Sequence, residues 1–498
     1  MREATCSPAE EAARLRASIS GLADGHPELS ASTLLTRGQK RFGVVVGVYL
    51  VFGLITDAVA TAIAVMTVVV TFYAAVVVDR IALFARSRRP GTVEEVGDAE
   101  ALAVPDDALP VYTVLVPAYR EPEIIATLLA HLDRLDYPRD RLDVKLLLEA
   151  DDDATIDAVR ASGAGDHVEV VLVPPSAPRT KPKALNYALT LARGEIVTIY
   201  DAEDEPEPLQ LRRAAVALRR SPPEVACLQA RLSFSNAGQN LITKWFTLEY
   251  LTWFAYLLPG LVDVGAPLPL GGTSNHFRRA VLDELGGWDP HNVTEDADLG
   301  LRLARAGYRC GVLDSVTLEE PNNDLINWVK QRSRWYKGYF QTALVHLRRP
   351  SRVRAELGWV GFAHVVLFVL GTPLLAALNP LFWLMTLLWF LGHPHVIKEV
   401  FPGPLFYTGT LVWVFGNFLV AYLTILTTRL SGRVELLWAA VLVPLYWVMM
   451  SMAAAKAAYQ LIVTPTFWEK TTHGLHLPHH ATAGGGGAPA APPGVAPG

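Results

Sequence analysis

The stretch 195-EIVTIYDAEDEPEP-208 decides the fold class, because an apolar, β-branched run ends abruptly in clustered carboxylates. Three similar runs precede it, at 111-VYTVLVPAY-119, 144-VKLLLEA-150 and 168-VEVVLVP-174. Helical stretches lie between the runs, at 121-EPEIIATLLAHLDRL-135 and 181-KPKALNYALTLA-192. Short strands alternating with helices predict an α/β domain, over residues 105–350, with a mostly parallel sheet and helices on both faces.

Apolar segments lie on both sides of this domain. Of 498 residues, 51% are hydrophobic and only 19% are charged. A bilayer core requires roughly 20 apolar residues per helix, so residues 42–84 predict a transmembrane hairpin that turns at Thr56-Asp57. One long kinked helix is the alternative. Residues 357–462 predict further transmembrane helices that form a channel; the candidate spans are roughly 357–377, 380–392, 404–427 and 436–462.

The basic residues predict the orientation in the membrane. Arg37, Lys40 and Arg41 precede the hairpin and Arg86 follows it, so the positive-inside tendency places both its ends, and the domain, in the cytoplasm. Six spans would return the chain to the cytoplasm, although Arg429 and Arg433 would then lie in an outside loop, against the same tendency.

The remaining segments carry weaker signals. Residues 1–41 are predicted to be a cytoplasmic N-terminal segment without signal-peptide features, and residues 475–498, rich in Gly and Pro, are predicted to be disordered. Residues 241–270 form either an amphipathic interfacial helix or a buried core helix. A net charge of −5 gives no drive toward nucleic acid, and the three cysteines form no CxxC pair, which disfavours a disulfide framework and a structural zinc site.

Polar residues that follow the strands are the first candidates for a site, because ligands bind at the carboxyl ends of parallel strands. Tyr119 and Glu121 follow one strand and Asp151 follows the next, where such groups can accept hydrogen bonds from a nucleobase or ribose; a solvated acidic turn is the alternative. Asp201 and Glu203 offer hard oxygens that suit Mg²⁺ or Mn²⁺ bound to phosphate.

Two later motifs complete the set. Thr294-Glu295-Asp296 precedes a helical pattern, which indicates either a helix cap with acids in the first turn or a general base at Asp296. The motif 331-QRSRWYKG-338 places a fixed cation, Arg334, next to Trp335. This pair suits a diphosphate and a flat sugar ring, and a juxtamembrane basic cluster is the alternative.

The ordered set, over about residues 110–340, resembles the processive branch of the family 2 glycosyltransferases, which includes cellulose, hyaluronan and chitin synthases. The resemblance implies a GT-A domain that binds a nucleotide sugar. It implies that Tyr119, Glu121 and Asp151 hold the nucleoside, Lys181 or Lys183 contacts phosphate, Asp201 and Glu203 hold Mg²⁺ or Mn²⁺, Asp296 beside Glu295 is the catalytic base, and Gln331, Arg334 and Trp335 grip the acceptor and the diphosphate.

A short match follows the last span. Residues 466-TFWEKTTHG-474 resemble the gating segment that closes over the nucleotide in hyaluronan synthases, so residues 463–474 are a candidate gating segment. The resemblance implies that Trp468, Lys470 and Thr471 face the active site. His364 and Asn417 are candidates for the lining of the channel, with ordinary helix packing as the alternative.

The resemblance implies a single displacement from an α-linked nucleotide sugar, which inverts the anomeric centre and gives a β-linked product. UDP-glucose is the first choice of donor, before UDP-N-acetylglucosamine and GDP-mannose. The expected acceptor is a growing polysaccharide that is exported across the inner (plasma) membrane, with unidentified accessory export proteins as further candidate partners. A nonprocessive enzyme that makes a lipid-linked or short glycan, a glycoside hydrolase, and a catalytically inactive scaffold or transport protein are the alternatives.

Overall fold

The computed structural model contains a mixed sheet at the centre of the domain, and it describes residues 2–3, 7–163, 165 and 167–465. Within these residues the sheet has nine strands in the order β1-β4-β3-β2-β5-β8-β7-β9-β6. The strands are β1 (Arg2–Glu3), β2 (Tyr112–Ala118), β3 (Leu142–Glu149), β4 (Val168–Val173), β5 (Ile196–Ile199), β6 (Glu205–Pro206), β7 (Val225–Phe234), β8 (Asn275–Arg278) and β9 (Arg309–Glu319).

Helices flank the sheet and continue into the apolar segments. The α-helices are α1 (Pro8–Gly25), α2 (Arg37–Thr56), α3 (Ala58–Arg86), α4 (Asp98–Ala103), α5 (Ile125–Asp133), α6 (Asp153–Ser162), α7 (Lys181–Leu189), α8 (Gln210–Arg220), α9 (Leu241–Thr252), α10 (Leu258–Asp263), α11 (Arg279–Glu284), α12 (Glu295–Arg305), α13 (Leu325–His346), α14 (Pro350–His364), α15 (Gly371–Gly392), α16 (His395–Val400), α17 (Gly403–Thr410), α18 (Gly416–Leu430), α19 (Leu437–Val441) and α20 (Val443–Val463).

The first half of the sheet confirms the predicted α/β fold class. Strand β2 pairs in parallel with β3 and β5, and β3 pairs in parallel with β4. Both faces are covered: Val114 and Val116 pack in one buried cluster with Leu128 of α5, while Leu115 packs in another with Leu185 of α7. A strand buried on both faces has no polar alternation, which explains the continuous apolar run.

The second half of the sheet is mixed rather than parallel. Strand β8 runs antiparallel to both β5 and β7, and β7 then pairs in parallel with β9. Five of the eight strand pairs among the described residues are parallel, so the prediction of a mostly parallel sheet is confirmed for the sheet as a whole. The antiparallel pairs lie beyond β5, where the run of strand-helix alternation has ended. The carboxyl ends of β2, β3 and β5 therefore lie at one edge, where ligands bind in such sheets.

Four helices in the described part of the chain are long and apolar enough to cross a membrane, or up to five if the bent pair near the C-terminal end counts as one. The first two are α2 and α3, separated at Asp57, whose side chain caps α3 by accepting from Ala60 N–H at 2.9 Å. The helical stretch Pro350–Gly392 is the third and Gly403–Leu430 the fourth.

The prediction of separate spans at 357–377 and 380–392 is wrong. Pro380 lies inside α15, which continues without a break to Gly392. A proline removes one backbone hydrogen bond, but membrane helices tolerate it because neighbouring helices and local adjustments satisfy the freed groups. The sequence signal at Asn379-Pro380 therefore marked no turn.

The expected position of Arg429 and Arg433 is also corrected. Between them, the Ser431 hydroxyl lies 3.4 Å from the hydroxyl of Tyr256, which belongs to the π-helical turn at Trp253–Leu257. These basic residues therefore lie at the same end of the helices as the domain. With the domain in the cytoplasm, as proposed below, this loop would agree with the positive-inside tendency.

The last apolar segment is bent by 63° between α19 and α20. At its start, Trp245 of α9 donates its indole N–H to the Ala439 carbonyl at 2.9 Å. Just beyond its end, the Pro465 carbonyl accepts from the side-chain amide of Gln341 in α13 at 2.7 Å. Both ends of the bent pair therefore contact helices of the domain.

The segment 241–270 is a buried helix between the sheet and the membrane helices. It comprises α9, a π-helical turn at Trp253–Leu257 and α10. Phe246, Leu258 and Leu261 are buried, and Gly260 lies so close to the Leu83 backbone of α3 that a side chain would overlap it. This burial favours the core-helix interpretation over the interfacial one.

Candidate active site

A cavity of about 470 Å³ opens at the carboxyl ends of β2, β3 and β5, a size typical of small-molecule sites. It brings together side chains from segments that lie far apart in the sequence. Ten residues predicted from the sequence line it: Tyr119, Glu121, Lys181, Asp201, Glu203, Glu295, Asp296, Gln331, Arg334 and Trp335. Trp468, Lys470 and Thr471 of the candidate gating segment lie outside the described residues.

Asp151 lies at the rim of the cavity. It does not belong to the cavity lining formed by the described residues. The guanidinium of Arg179 donates to Asp151 Oδ2 at 2.6 Å and to the Tyr119 hydroxyl at 3.4 Å. Arg179 itself lines the cavity, and the sequence analysis missed it. The available signal was its position two residues before Lys181, in 179-RTKPK-183.

The two candidate lysines have different surroundings. Lys181 pairs with Asp201 and donates to the Gly272 carbonyl at 2.8 Å inside the cavity. Burial lowers the pKa of Lys181, but the carboxylates of Asp201 and Glu295 outweigh this and raise it above the usual range. Lys183 is fully buried and pairs with Glu149 at 2.7 Å. The structure therefore places Lys181, and not Lys183, among the cavity-lining residues.

The carboxylate turn after β5 has an inner and an outer part. The inner residue, Asp204, is buried; its Oδ2 accepts from Asp201 N–H at 2.8 Å and from the Thr273 hydroxyl, while its Oδ1 has no hydrogen-bond partner. Burial and the neighbouring carboxylates raise the pKa of Asp204 well above its ordinary value. Asp204 shapes the turn, and Asp201 and Glu203 line the cavity.

This turn fits a divalent cation that is shared with a substrate. Among the described residues, no group of three or more His, Cys, Asp or Glu is arranged to hold a metal ion. Two hard carboxylates at the cavity wall are nevertheless the protein ligands that Mg²⁺ uses when phosphate oxygens and water complete its coordination. Asp201 and Glu203 would therefore hold a metal together with a nucleotide diphosphate.

The predicted base lies at the start of α12. Thr294 occupies the N-cap position without a side-chain capping bond, and Glu295, Asp296 and Asp298 lie in the first turn. Burial raises the pKa of Asp296 to about 6, and burial together with the charge of Asp296 raises the pKa of Glu295 to about 8. A carboxylate with a pKa near 6 is ionised at neutral pH and still basic enough to accept a proton.

The opposite wall of the cavity comes from α13. Gln331 accepts from the Asn322 amide at 3.0 Å. Burial lowers the pKa of Arg334, an effect opposed by the charges of Glu295 and Asp201. The Arg334 guanidinium therefore lies in the electrostatic field of the proposed base and of the carboxylate turn. This position suits it to contact a diphosphate.

Trp335 contacts a partly buried ion pair, between Arg332 and Glu249, that the sequence analysis missed. The Arg332 guanidinium lies 4.5 Å from the Trp335 ring centroid, and it donates to both carboxylate oxygens of Glu249, at 2.7 and 2.5 Å. The Tyr446 hydroxyl from α20 donates to Glu249 at 2.6 Å. This network fixes Trp335 relative to the bent membrane segment, and no sequence motif marked Glu249 or Tyr446.

The cavity reaches the membrane helices at its far end. Trp253, Tyr339 and Thr372 line this end, and Thr372 belongs to α15. The side chain of Arg80, which does not line the cavity, donates to the Thr372 hydroxyl at 2.5 Å. We call this region, defined by Trp253, Tyr339 and Thr372, the membrane end of the cavity.

The two candidates for channel lining make contacts between helices. His364 Nε2 lies 3.1 Å from Asp79 Oδ1 of α3. The Tyr73 hydroxyl of α3 lies 3.1 Å from Asn417 Oδ1 of α18. These polar pairs join helices within the apolar bundle, so they favour the helix-packing interpretation of both residues.

The sheet, the carboxylate turn and helix α13 together are typical of a glycosyltransferase domain of the GT-A type. Residues 110–338 match the family described as glycosyltransferase like family 2. The domain therefore belongs to glycosyltransferase family 2, and the predicted resemblance is confirmed at the level of the family.

Two curated relatives show how far the similarity extends. A beta-monoglucosyldiacylglycerol synthase of Trichormus variabilis is 30% identical over 243 residues, which are 48% of this chain and 50% of the relative. A probable glucomannan 4-beta-mannosyltransferase of Arabidopsis thaliana is 26% identical over 267 residues, 51% of this chain and 48% of the relative. The chain spans about half the length of these curated relatives.

One solved structure covers more of the chain. A mannosyltransferase from Pyrobaculum calidifontis, solved in complex with GDP-Man and Mn²⁺, aligns with 81% of this chain and 99% of its own, with 21% identity and a TM-score of 0.49.

Proposed function

We propose that this protein is an inverting, metal-dependent glycosyltransferase that transfers hexosyl units from a nucleotide sugar to a β-linked polysaccharide at the membrane. One observation carries the proposal. A single cavity that ends at a membrane helix is lined by the carboxylate turn of Asp201 and Glu203, the raised-pKa carboxylate of Asp296 and the side chains of Gln331, Arg334 and Trp335. A hydrolase would have no use for a turn that fits a metal and a diphosphate.

The residues divide the work of a single displacement. Asp296 accepts the proton of an acceptor hydroxyl while that oxygen attacks C1 of the sugar and the bond from C1 to the diphosphate oxygen breaks. Arg334 and Lys181 stabilise the negative charge that develops on the leaving diphosphate. A metal bound by Asp201 and Glu203 supplies further charge neutralisation when present. One inversion of an α-linked donor gives a β-linked product.

Tyr119, Glu121 and the Asp151–Arg179 pair support a nucleoside subsite at the opposite end from the membrane. UDP-glucose is our first choice of donor, followed by UDP-N-acetylglucosamine and GDP-mannose. The acceptor lies at the membrane end of the cavity, near Trp335. Addition of one sugar after another would push a growing chain toward the helices, with residues 463–474 as a proposed gate.

The proposed location is the inner (plasma) membrane, with several spans and a cytoplasmic catalytic domain. Support comes from basic residues at the domain end of the membrane helices, including Arg37, Arg86 and Arg433. The bent pair α19–α20 has both ends against the domain, which favours a re-entrant segment over a full crossing. In this arrangement residue 465 lies on the cytoplasmic side.

A glycolipid synthase is the second candidate. The membrane end of the cavity includes Thr372 from α15 beside two aromatic rings, an environment that also suits the head group of a lipid acceptor. Transfer of a single sugar to such a lipid would need the same base and metal site. It would not need a path for an exported chain.

The test is sugar transfer in membranes that contain the full chain. Radiolabelled UDP-glucose, UDP-N-acetylglucosamine and GDP-mannose are supplied in turn, with Mg²⁺ or Mn²⁺, and products are sized and digested with β-specific glycosidases. Wild type is compared with Asp296→Asn and with Asp153→Asn, a matched loss of one carboxylate at an exposed position. We expect wild type and Asp153→Asn to make β-glycan of high mass and Asp296→Asn to make none.

The other outcomes separate the alternatives. A single labelled sugar in the lipid extract would replace the polysaccharide synthase by the glycolipid synthase. Nucleotide binding without transfer from any donor would favour the inactive scaffold. An α-linked product would overturn the single displacement.

A further inference from the structure

One face of α13 holds the turn that carries the proposed base. Gln341 accepts from Val293 N–H at 3.2 Å, and Asn292 donates its side-chain amide to the Thr342 hydroxyl at 2.9 Å. One turn further along α13, His346 Nε2 lies 3.0 Å from Asp298 Oδ1. These contacts flank Asp296 on both sides in the sequence.

The spacing and packing of these residues make the contact continuous. Positions 338, 342 and 346 recur every four residues, so they share one face of the helix. At the first of them, Gly338 lies so close to Thr294 that a Cβ would overlap its side chain. We call the face formed by Gly338, Gln341, Thr342 and His346 the α13 seam.

The protonation of His346 follows from its two neighbours. Arg305 Nη1 lies 3.1 Å from His346 Nδ1, and because a guanidinium can only donate, Nδ1 must accept. The proton of the neutral ring is then on Nε2, which donates to Asp298. Asp298 and His346 are both fully buried, and Arg302 Nε donates to the other oxygen of Asp298 at 2.8 Å. Rotation of the imidazole would break both contacts of His346, although Asp298 would keep Arg302 and Arg305 would keep Glu356, 2.6 Å away, as ion-pair partners.

The seam joins the two halves of the proposed catalytic machinery. Asp296 lies in the first turn of α12, whereas Arg334 and Trp335 are carried by α13. Gln341 also donates to the Pro465 carbonyl at 2.7 Å, which ties the seam to the end of the bent membrane segment. The relative position of base and diphosphate-binding cation therefore depends on contacts that touch neither group.

We propose that His346 and Gln341 are positioning residues that set the distance between Asp296 and the acceptor held by α13. This inference rests on the proposed function, because it takes Asp296 as the base. A small displacement of a base costs far more in the chemical step than in donor binding, since an error of about 1 Å lowers the rate by about 10²-fold. Of the groups proposed to bind the donor, Asp201, Glu203 and Lys181 lie outside α13 and Arg334 lies on it, so donor KM should change little compared with kcat.

The experiment compares His346→Leu with His346→Gln in the full-length protein in membranes, using the donor that supports transfer by wild type. Glutamine places an N–H donor near the position of Nε2, so it can keep the bond to Asp298. Lys145→Met is the matched control, because Lys145 is a buried member of an ion pair, 3.0 Å from Asp143, outside the cavity. Each variant is assayed for kcat, donor KM and thermal unfolding.

We expect His346→Leu to lower kcat by about 10²-fold with donor KM nearly unchanged, His346→Gln to recover most of kcat, and Lys145→Met to lower stability alone. Gln341→Leu is the second variant, with a smaller loss of kcat, should His346→Leu fail to fold. Equal kcat values for the leucine variants and Lys145→Met, or no recovery with glutamine, would overturn the inference. Absence of transfer by wild type would overturn the proposed function, and the inference with it.

Discussion

Gly272 and Asp296 approach each other so closely that no larger residue fits between the two segments without a shift. A Cβ atom built at Gly272 would lie 3.3 Å from Asp296 Oδ2 and 3.9 Å from Lys181 Nζ. The Gly272 carbonyl accepts from the same lysine at 2.8 Å. Gly272, which precedes β8, therefore lies against both the proposed base and Lys181.

Gly272→Ala should displace Asp296 or Lys181 and lower kcat by about tenfold to 10²-fold, because the added methyl group occupies the tight contact. Transfer kinetics measure this effect. Gly97→Ala is the control, since a Cβ there would have no neighbour within 4 Å. Unchanged kinetics in Gly272→Ala would show that the base has room to move, and would weaken its assignment.

The transfer rate should depend on pH through Asp296. The ionised form accepts the proton, and burial raises its pKa to about 6, so kcat/KM should rise with pH up to about 6 and then level off. The groups around the carboxylate are Lys181, Glu295 and Arg334. Glu295→Gln should keep this acidic limb, because Glu295, with a pKa of about 8, is largely neutral at lower pH. An acidic limb that is unaffected by Asp296→Glu would contradict the assignment.

The same pKa makes a prediction about stability. Because the folded-state pKa of Asp296 lies above its ordinary value, its contribution to stability is present at low pH and is lost as pH rises through about 6. Asp296→Asn should therefore unfold at a higher temperature than wild type near pH 8, and at a similar temperature near pH 4. Thermal unfolding in detergent at the two pH values measures the difference. A variant that is less stable than wild type near pH 8 would contradict the sign.

Substitutions of the two lysines of 181-KPK-183 should have different effects. Lys181→Met removes a charged donor from the cavity, and loss of about 1.5–3 kcal/mol of binding would raise donor KM by about tenfold or more. Lys183→Met leaves Glu149 buried without its partner, 2.7 Å away in wild type, and should cost about 3–5 kcal/mol of stability with donor KM unchanged. Steady-state kinetics and thermal unfolding of both variants distinguish these effects. The reverse pattern would assign phosphate contact to Lys183.

The convergence of the site could be predicted because it follows from sheet geometry. Carboxyl ends of parallel strands meet at one edge, so Tyr119 after β2 and Asp201 after β5 had to lie close together. The order of the motifs along the chain then added Asp296 and Arg334 to the predicted site residues. What each motif does alone stayed ambiguous, since a helix cap and a base occupy the same position at Thr294-Glu295-Asp296.

Other features depend on tertiary packing and left no local signal. The Glu249–Tyr446 bond joins residues 197 positions apart, and neither residue belongs to a motif. Arg332 lies inside the motif 331-QRSRWYKG-338, yet only its burial among aromatic rings shows that it supports Trp335. The predicted boundary between two spans at Pro380 was wrong for a different reason. A proline that would end a helix in water is tolerated in an apolar bundle.

Chelation should abolish transfer if Asp201 and Glu203 share a cation with the donor. EDTA treatment should remove activity, and added Mg²⁺ or Mn²⁺ should restore it. Asp201→Asn and Glu203→Gln should each lower kcat/KM by about 10²-fold or more, because a metal at the leaving group supplies several kcal/mol of charge stabilisation. Asp153→Asn should behave as wild type. Full activity in EDTA would show that Lys181 and Arg334 suffice for the leaving group.

Arg332→Met should be among the most destabilising changes in the chain, because it leaves the Glu249 carboxylate without the guanidinium that contacts both of its oxygens. We expect a cost of about 3–5 kcal/mol. Tyr446→Phe removes one hydrogen bond to the same carboxylate and should cost about 1–3 kcal/mol. Arg354→Met is the control: its guanidinium lies 4.7 Å from the exposed Trp359 ring, so a loss of about 0.5–1 kcal/mol is expected. Thermal unfolding in detergent ranks the three variants.

Tyr446→Phe should also lower acceptor use more than donor binding, because the network supports Trp335. Equal losses in both would place the network outside the acceptor site.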